Sequence, residues 1–148
     1  MKLLIYGSRG WIGQQIITYL RASGTIGTTD IDFVEGNARV ENTEDVAQEL
    51  DSTKPSNVLC LVGRTHGSIN GKEYSTIDYL EQPGKIKENV RDNLYAPISL
   101  ALLCQQREIH LSYLGTGCIF SYEDQHYPEG NEENRFCEDD VPNFFGSR

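Results

Sequence analysis

Two kinds of apolar pattern alternate along this chain. Lys2–Tyr6 (KLLIY) is a short continuous apolar run that stops at Gly7, the signature of a strand buried on both faces. Trp11, Ile12, Gln15, Ile16, Tyr19 and Leu20 then recur at helical spacing up to Ser23-Gly24, where glycine supplies a left-handed cap. A polar loop over 25–30 leads into a second strand, Ile31–Glu35, stopped by Gly36-Asn37, and Ala38–Glu41 reads as a short third one. Asn42 or Thr43 caps a helix to about Leu50, with Val46 and Leu50 on its inner face. After the turn Lys54-Pro55-Ser56, Asn57–Val62 (NVLCLV) is a continuous apolar strand ended by Gly63. A long Gly-, Ser-, Thr- and Tyr-rich loop covers 64–82. A helix follows over about 84–106, with Ile86, Val90, Leu94, Ile98, Ala101 and Leu102 as its inner positions and Pro97 predicting a kink. His110–Leu114 is the next strand, and 122–148 reads as polar, acidic loop.

Strands without in–out polarity, alternating with helices, predict an α/β domain: a doubly wound parallel sheet with helices on both faces. No repeat, low-complexity segment or linker divides the 148 residues, so one domain over 1–148 is expected.

Charge and composition narrow the function. The net charge of −9 and the lack of any Lys/Arg run argue against a nucleic-acid partner. No stretch reaches the ~18 apolar residues of a membrane span. MKLLIYG meets Gly7 and Arg9 too early for a secretory signal. A cytoplasmic protein without a membrane partner is expected. Cys60, Cys104, Cys118 and Cys137 form neither a CxxC pair nor a Cys/His cluster with zinc spacing, so no metal site is expected. Cys60 and Cys104 read as small buried apolar residues.

The glycines at 7, 10 and 13 (GSRGWIG) follow a predicted strand and open a helix. In that context Gly7 permits the tight turn, Gly10 lets backbone approach a pyrophosphate, and Gly13 lets helix pack on strand. The anion would face free N–H groups at the helix start. Gly7, Ser8, Arg9, Gly10, Trp11, Ile12 and Gly13 are therefore assigned to a dinucleotide. Glu35, at the end of the second strand, would suit the free ribose of NAD. Arg9 and Arg39 would clamp the 2′-phosphate of NADP. NADP is the expected cofactor, with NAD as the alternative.

Further motifs occur in order: IYGSRGWIG, KPSNV, Asn93 in the long helix, GTGCIF, and EDDVPNFFGS. Together they resemble the extended short-chain dehydrogenase/reductases. Within these the chain looks most like the 3,5-epimerase/4-reductases that convert UDP-4-keto-6-deoxyglucose to UDP-rhamnose. The resemblance implies a Rossmann-type sheet, here incomplete at its C-terminal side, and a nucleotide-sugar substrate. It makes Cys118 an acid/base for epimerisation beside the C4 ketone and Thr116 a hydrogen-bond donor to that oxygen. It places Gly63, Arg64 and Thr65 along the cofactor's ribose and nicotinamide, although the family's Asn-Ala-Ala-Gly is here Cys60-Leu61-Val62-Gly63. It gives Asn93 a backbone-bonding role. His66, Tyr74, Asp78 and Tyr79 are weaker candidates for meeting substrate.

The family's Tyr-x-x-x-Lys dyad occurs nowhere in these residues. The resemblance thus implies a fragment that binds cofactor without completing reduction, with an uncovered edge strand, exposed apolar surface and a homodimer through the long helix. Two alternatives stay open: a non-catalytic NADP-binding regulatory module, and a 4-reductase without epimerase action.

Overall fold

In a computed structural model, described here for residues 1–115, 120, 136–137 and 139–143, the apolar runs form one parallel sheet. Its strands are β1 (Lys2–Tyr6), β4 (Asp32–Glu35), β5 (Asn57–Cys60) and β8 (His110–Tyr113), in spatial order β4-β1-β5-β8. All pairings are parallel, with Ile5 beside Glu35, Tyr6 beside Cys60, and Cys60 beside Tyr113. Two short hairpins complete the strands: β2 (Thr25–Ile26) with β3 (Thr29–Asp30), and β6 (Gly67–Ile69) with β7 (Lys72–Tyr74). The chain divides into two compact units, Met1–Gly115 and Thr116–Arg148. The sheet belongs to the first. In the second, the rings of Phe120 and Phe136 stack with centroids 4.2 Å apart.

Helix α1 (Trp11–Ser23) covers one face of the sheet. Leu3, Ile5, Ile17, Leu20 and Ile31 form the core there. Helices α2 (Thr43–Thr53) and α4 (Ala96–Gln105) cover the other face, around Leu4, Tyr6, Val46, Leu50, Val58, Leu100 and Cys104. Alternate residues of β1 therefore go to opposite cores, which is why KLLIY shows no polar face. Asn42 caps α2, its Oδ1 accepting the N–H of Asp45. Gly24 caps α1 in the left-handed region at φ 67°.

Several expectations need correction. Ala38–Glu41 is not a strand; Asn42 N–H bonds back to the Arg39 carbonyl and makes this segment a turn. The 64–82 loop contains the β6–β7 hairpin, whose Asn70-Gly71 turn has positive φ at both residues (51° and 79°). Such an Asn-Gly pair favours the twist of a two-residue hairpin. The long helix is three consecutive segments: α3 (Ile86–Val90), a π-helical stretch over Arg91–Tyr95, and α4. Pro97 lacks an N–H and crowds the carbonyl four residues back, so the wider π turn just before it accommodates the ring.

The faces of this helix are also the reverse of those expected. Ile86, Val90, Leu94, Ile98 and Leu102 are 46–70% exposed, and Ala101 is exposed as well. The buried positions are Ala96, Ser99, Leu100 and Cys104, which themselves repeat at helical spacing. Both stripes are mainly apolar, Ser99 excepted, so period alone does not choose between them. Among the described residues, β4 and β8 are the sheet edges, and no helix is long and apolar enough to cross a membrane. Because Leu100 is fully buried, Leu100→Ala should lower unfolding free energy by about 2–5 kcal/mol. Urea denaturation will read this as a lower midpoint at unchanged slope, whereas a loss under about 0.5 kcal/mol would contradict the assigned faces.

Candidate functional site

Parallel strands bring their carboxyl ends to one edge, and the chain reverses direction across the sheet between β1 and β5. In an open α/β sheet a ligand binds at that crevice. The loop after β1 is shaped by glycines. Gly7 has φ +84°, and a Cβ there would lie 2.9 Å from the Leu61 carbonyl carbon, against backbone running on from β5. The Leu61 N–H bonds the Tyr6 carbonyl at 2.9 Å, locking this approach. The Gly10 N–H closes the turn onto the Gly7 carbonyl at 3.0 Å.

A Cβ at Gly13 would sit 2.3 Å from the Gly7 oxygen and 2.7 Å from Ser8 backbone, so α1 starts directly on the turn. At Gly10, by contrast, a Cβ would meet only the Gly7 oxygen, at 3.4 Å. Nothing else fills the space beside Gly10. The first-turn N–H groups of α1 have no intrahelical acceptor, and no side chain caps them. This open cradle of donors at a helix start fits a pyrophosphate. Ser8 is buried inside the turn, while Trp11 stands 80% exposed beside it.

The loop after β4 forms the next part of the edge. Arg9 Nη2 donates to Asn37 Oδ1 at 3.4 Å, joining the glycine loop to this one. Asn37 is not among the residues singled out from the sequence; its only signal is its place directly after Glu35-Gly36. Glu35 is held by Arg21 of α1 at 2.8 Å. Arg39 pairs with Glu41 at 2.6 Å and is mostly exposed.

The third part is the backbone after β5. Asn93, in the π-helical stretch, accepts the Arg64 N–H at 2.7 Å and returns a hydrogen bond to the Arg64 carbonyl at 2.9 Å. It also reaches Asn89 Oδ1 at 3.0 Å. One side-chain amide thus fixes the course of Gly63-Arg64-Thr65. The Arg64 guanidinium turns to Asp92, donating to Oδ2 at 2.5 Å, and Arg91 donates to Asp92 Oδ1 at 2.6 Å. Burial opposes ionisation of Asp92, but these hydrogen bonds prevail and hold its carboxyl below the usual range.

Other candidates fall differently. Among the described residues His66 hydrogen-bonds the Thr65 hydroxyl, at 3.3 Å. Tyr74 bonds Gln82, and Thr76 donates to Asp78. Tyr79 is buried against Gly67, with its hydroxyl on Glu88 at 2.7 Å, so it packs the loop. Cys60 and Cys104 are buried; burial pushes the Cys60 thiol up and that of Cys104 up to about 11. β8 runs to the same edge as β1 and β5 and leads toward Thr116 and Cys118, but those two residues lie outside the described ones. Among the described residues no cluster could hold a metal.

The Asp92 pairs generate a prediction. A carboxyl whose pKa is lowered on folding stabilises the fold above its unfolded value, and that stability is lost as pH falls through the lowered native value. Asp92→Asn should cost about 1–3 kcal/mol near neutrality, at the low end because solvent reaches both arginines. The difference from the parent should shrink below about pH 4. Urea melts across pH would contradict this if the two proteins were equally stable at neutral pH.

Comparison with known proteins gives the setting of this geometry. No protein-family model matches the chain. It is 46% identical over 147 residues to protein L780 of Acanthamoeba polyphaga mimivirus, covering 99% of this chain and 46% of that one. The crystal structure of that protein, described as a UDP-rhamnose synthase, superposes with a TM-score of 0.75 over 99% of this chain and 47% of the other. A bifunctional dTDP-4-dehydrorhamnose 3,5-epimerase/reductase of Arabidopsis thaliana is 34% identical over 146 residues, 99% of this chain and 43% of its own length. A dTDP-4-dehydrorhamnose reductase of Bacillus anthracis, solved in complex with NADP, shares the fold at 18% identity, with a TM-score of 0.61 over 87% of this chain and 40% of that one.

The chain thus spans less than half the length of these relatives. The sheet is of the Rossmann type expected from its strand pattern. The resemblance carried by GWIG, TGCIF and EDDVPNFFGS stands: over nearly its whole length this chain is similar to slightly under half of a UDP-rhamnose synthase.

Proposed function

We propose that this chain is the cofactor-binding part of an NADPH-dependent nucleotide-sugar 3,5-epimerase/4-reductase acting on UDP-4-keto-6-deoxyglucose. The observation that carries this reading is similarity, along nearly all of this chain, to slightly under half of the mimivirus UDP-rhamnose synthase, together with an intact glycine cradle. Gly7, Ser8, Gly10, Trp11, Ile12 and Gly13 hold the pyrophosphate through backbone N–H groups. Arg9, Asn37 and Arg39 surround the ribose 2′-phosphate, which favours NADP; Arg39 would leave Glu41 to do so, as Glu35 would have to leave Arg21 to meet the ribose of NAD. Gly63, Arg64 and Thr65, fixed by Asn93, line the nicotinamide side. When bound, the cofactor supplies hydride to C4 of the sugar.

The epimerase chemistry rests on Cys118 and Thr116. Protons at C3 and C5 are acidic because each carbon adjoins the C4 carbonyl. Cys118, as thiolate, takes one, leaving an enolate whose oxygen Thr116 holds by a hydrogen bond. A solvent-derived proton delivered to the opposite face inverts the centre, and the Cys118 thiol releases its proton to solvent. Cys118 suits the task only if its thiol titrates near neutrality, in contrast to the buried Cys60 and Cys104.

We place the protein in the cytoplasm, a reducing compartment that suits an exposed free thiol at Cys137, and expect no nucleic-acid partner for a chain of net charge −9. We also propose that a second copy of the chain covers the exposed stripe of Ile86, Val90, Leu94, Ile98 and Leu102. Leu94→Arg should then move the sedimentation coefficient from dimer to monomer. A parent protein that sediments as a monomer at high concentration would remove this proposal.

The single tryptophan stands at the mouth of the cradle, so its fluorescence reports occupancy. NADPH should quench it saturably. Gly10→Ala should weaken binding at least about tenfold, a difference of about 1.4 kcal/mol, while leaving the fold intact. Equal affinity in parent and variant would contradict the cradle. For the chemistry, Cys118→Ser should abolish deuterium uptake from heavy water at C3 and C5 of the keto sugar without changing NADPH affinity. These 148 residues contain no Tyr-x-x-x-Lys, so alone they should bind NADPH without oxidising it.

A further inference from the structure

The loop that carries Asn37 is held by a group that nothing in the cradle explains. Glu49, on α2 two turns from its start, faces the loop after β4. Its Oε1 accepts the Asn37 N–H at 2.8 Å and its Oε2 accepts the Ala38 N–H at 3.1 Å. One carboxylate thus grips two successive backbone amides. Bidentate acceptance of this kind fixes direction as well as distance.

Two further contacts hold the same turn from the sheet side. The Gly36 N–H bonds the Ile5 carbonyl at 2.8 Å. A Cβ at Gly36 would lie 2.6 Å from the Tyr6 ring, so this ring packs directly on the backbone there. Tyr6 is buried, and burial together with the nearby Glu49 carboxylate pushes its hydroxyl well above the usual phenol range. The turn is therefore seated on Tyr6 below and clamped by Glu49 from α2.

The clamp has a chemical consequence. Two adjacent N–H groups are a natural anion site, and here the protein's own carboxylate fills it. An incoming phosphate cannot use those amides. It must be met by outward side chains, and the clamp sets which ones: with its N–H turned to Glu49, Asn37 presents its side chain to Arg9 of the glycine loop.

We infer that Glu49 is a positioning residue for cofactor selectivity: its clamp on Asn37 and Ala38 holds Asn37 and Arg9 together as the recognition pair for the ribose 2′-phosphate. The inference rests on the proposed dinucleotide site and assigns its discrimination to a residue that touches no cofactor.

Calorimetric titration with 2′,5′-ADP and with 5′-ADP tests it. These probes share the adenosine and differ in the phosphate that matters. The parent should prefer 2′,5′-ADP by at least about tenfold, or about 1.4 kcal/mol. Glu49→Asp keeps the charge but is one methylene short of spanning both amides. It should lose at least about fivefold of that preference, through weaker 2′,5′-ADP binding with 5′-ADP nearly unchanged. Amide exchange at Asn37 and Ala38 should accelerate in the same variant.

A Glu49→Asp protein that keeps the parent's preference, or that loses both ligands equally, would overturn the inference while leaving the dinucleotide site standing. A preference that rises in Glu49→Gln, where the negative charge is gone, would also overturn it, because charge repulsion and not positioning would then dominate. A parent that binds neither probe would instead sink the dinucleotide reading and this inference with it.

Discussion

The close approach of three stretches of backbone, around Gly7, Gly13 and Leu61, is the contact on which the remaining architecture depends. A side chain at Gly7 would strike Leu61, and one at Gly13 would strike the Gly7 carbonyl. Without either clash, α1 begins immediately after β1, and β5 continues alongside at hydrogen-bonding distance. The helix start then faces the crevice with its first N–H groups uncapped. In this fold the crevice exists because bulk is missing from the two positions where strand, turn and helix meet.

Around that contact the edge is built from polar side chains on helices that hold the loops, two by their backbone and one by an arginine side chain. Asn93 holds Arg64, Glu49 holds Asn37 and Ala38, and Asp92 gathers Arg64 and Arg91. Each is a long-range tie from a helix to a loop at the carboxyl end of a strand. Loops positioned in this way lose less freedom when a ligand arrives, which favours tight and selective binding. The π-helical stretch belongs to the same scheme. Pro97 perturbs the helix one turn from Asn93, and the irregular segment carries both Asp92 and Asn93 to the loop.

The sheet, α1, the cap of α2 and the glycine cradle were legible because their causes are local. Apolar runs, a glycine at a turn and an asparagine before a helix act within a few residues. The faces of the long helix were not legible. Ile86, Val90, Leu94, Ile98 and Leu102 make as good a stripe as Ala96, Ser99, Leu100 and Cys104, and only packing on β5 and β8 selects between them. The Asn70-Gly71 hairpin carried a readable signal that the surrounding polar loop obscured. Asn37 carried only its place after Glu35-Gly36, and Glu49 carried no signal, because their partnership joins a loop to a helix that sequence places twelve residues apart. Thr116 and Cys118 came from the resemblance alone, and their place is an inference from the strand that leads to them.

The central claim is that a dinucleotide lies across the carboxyl ends of β4, β1 and β5. Backbone amide chemical shifts, followed while NADP is added to nitrogen-labelled protein, test it most directly. The account predicts saturable shifts in three groups that are far apart in sequence: Gly7 to Gly13, Asn37 to Arg39, and Gly63 to Thr65. Shifts confined to other surfaces, or no shifts at saturating NADP, would contradict it.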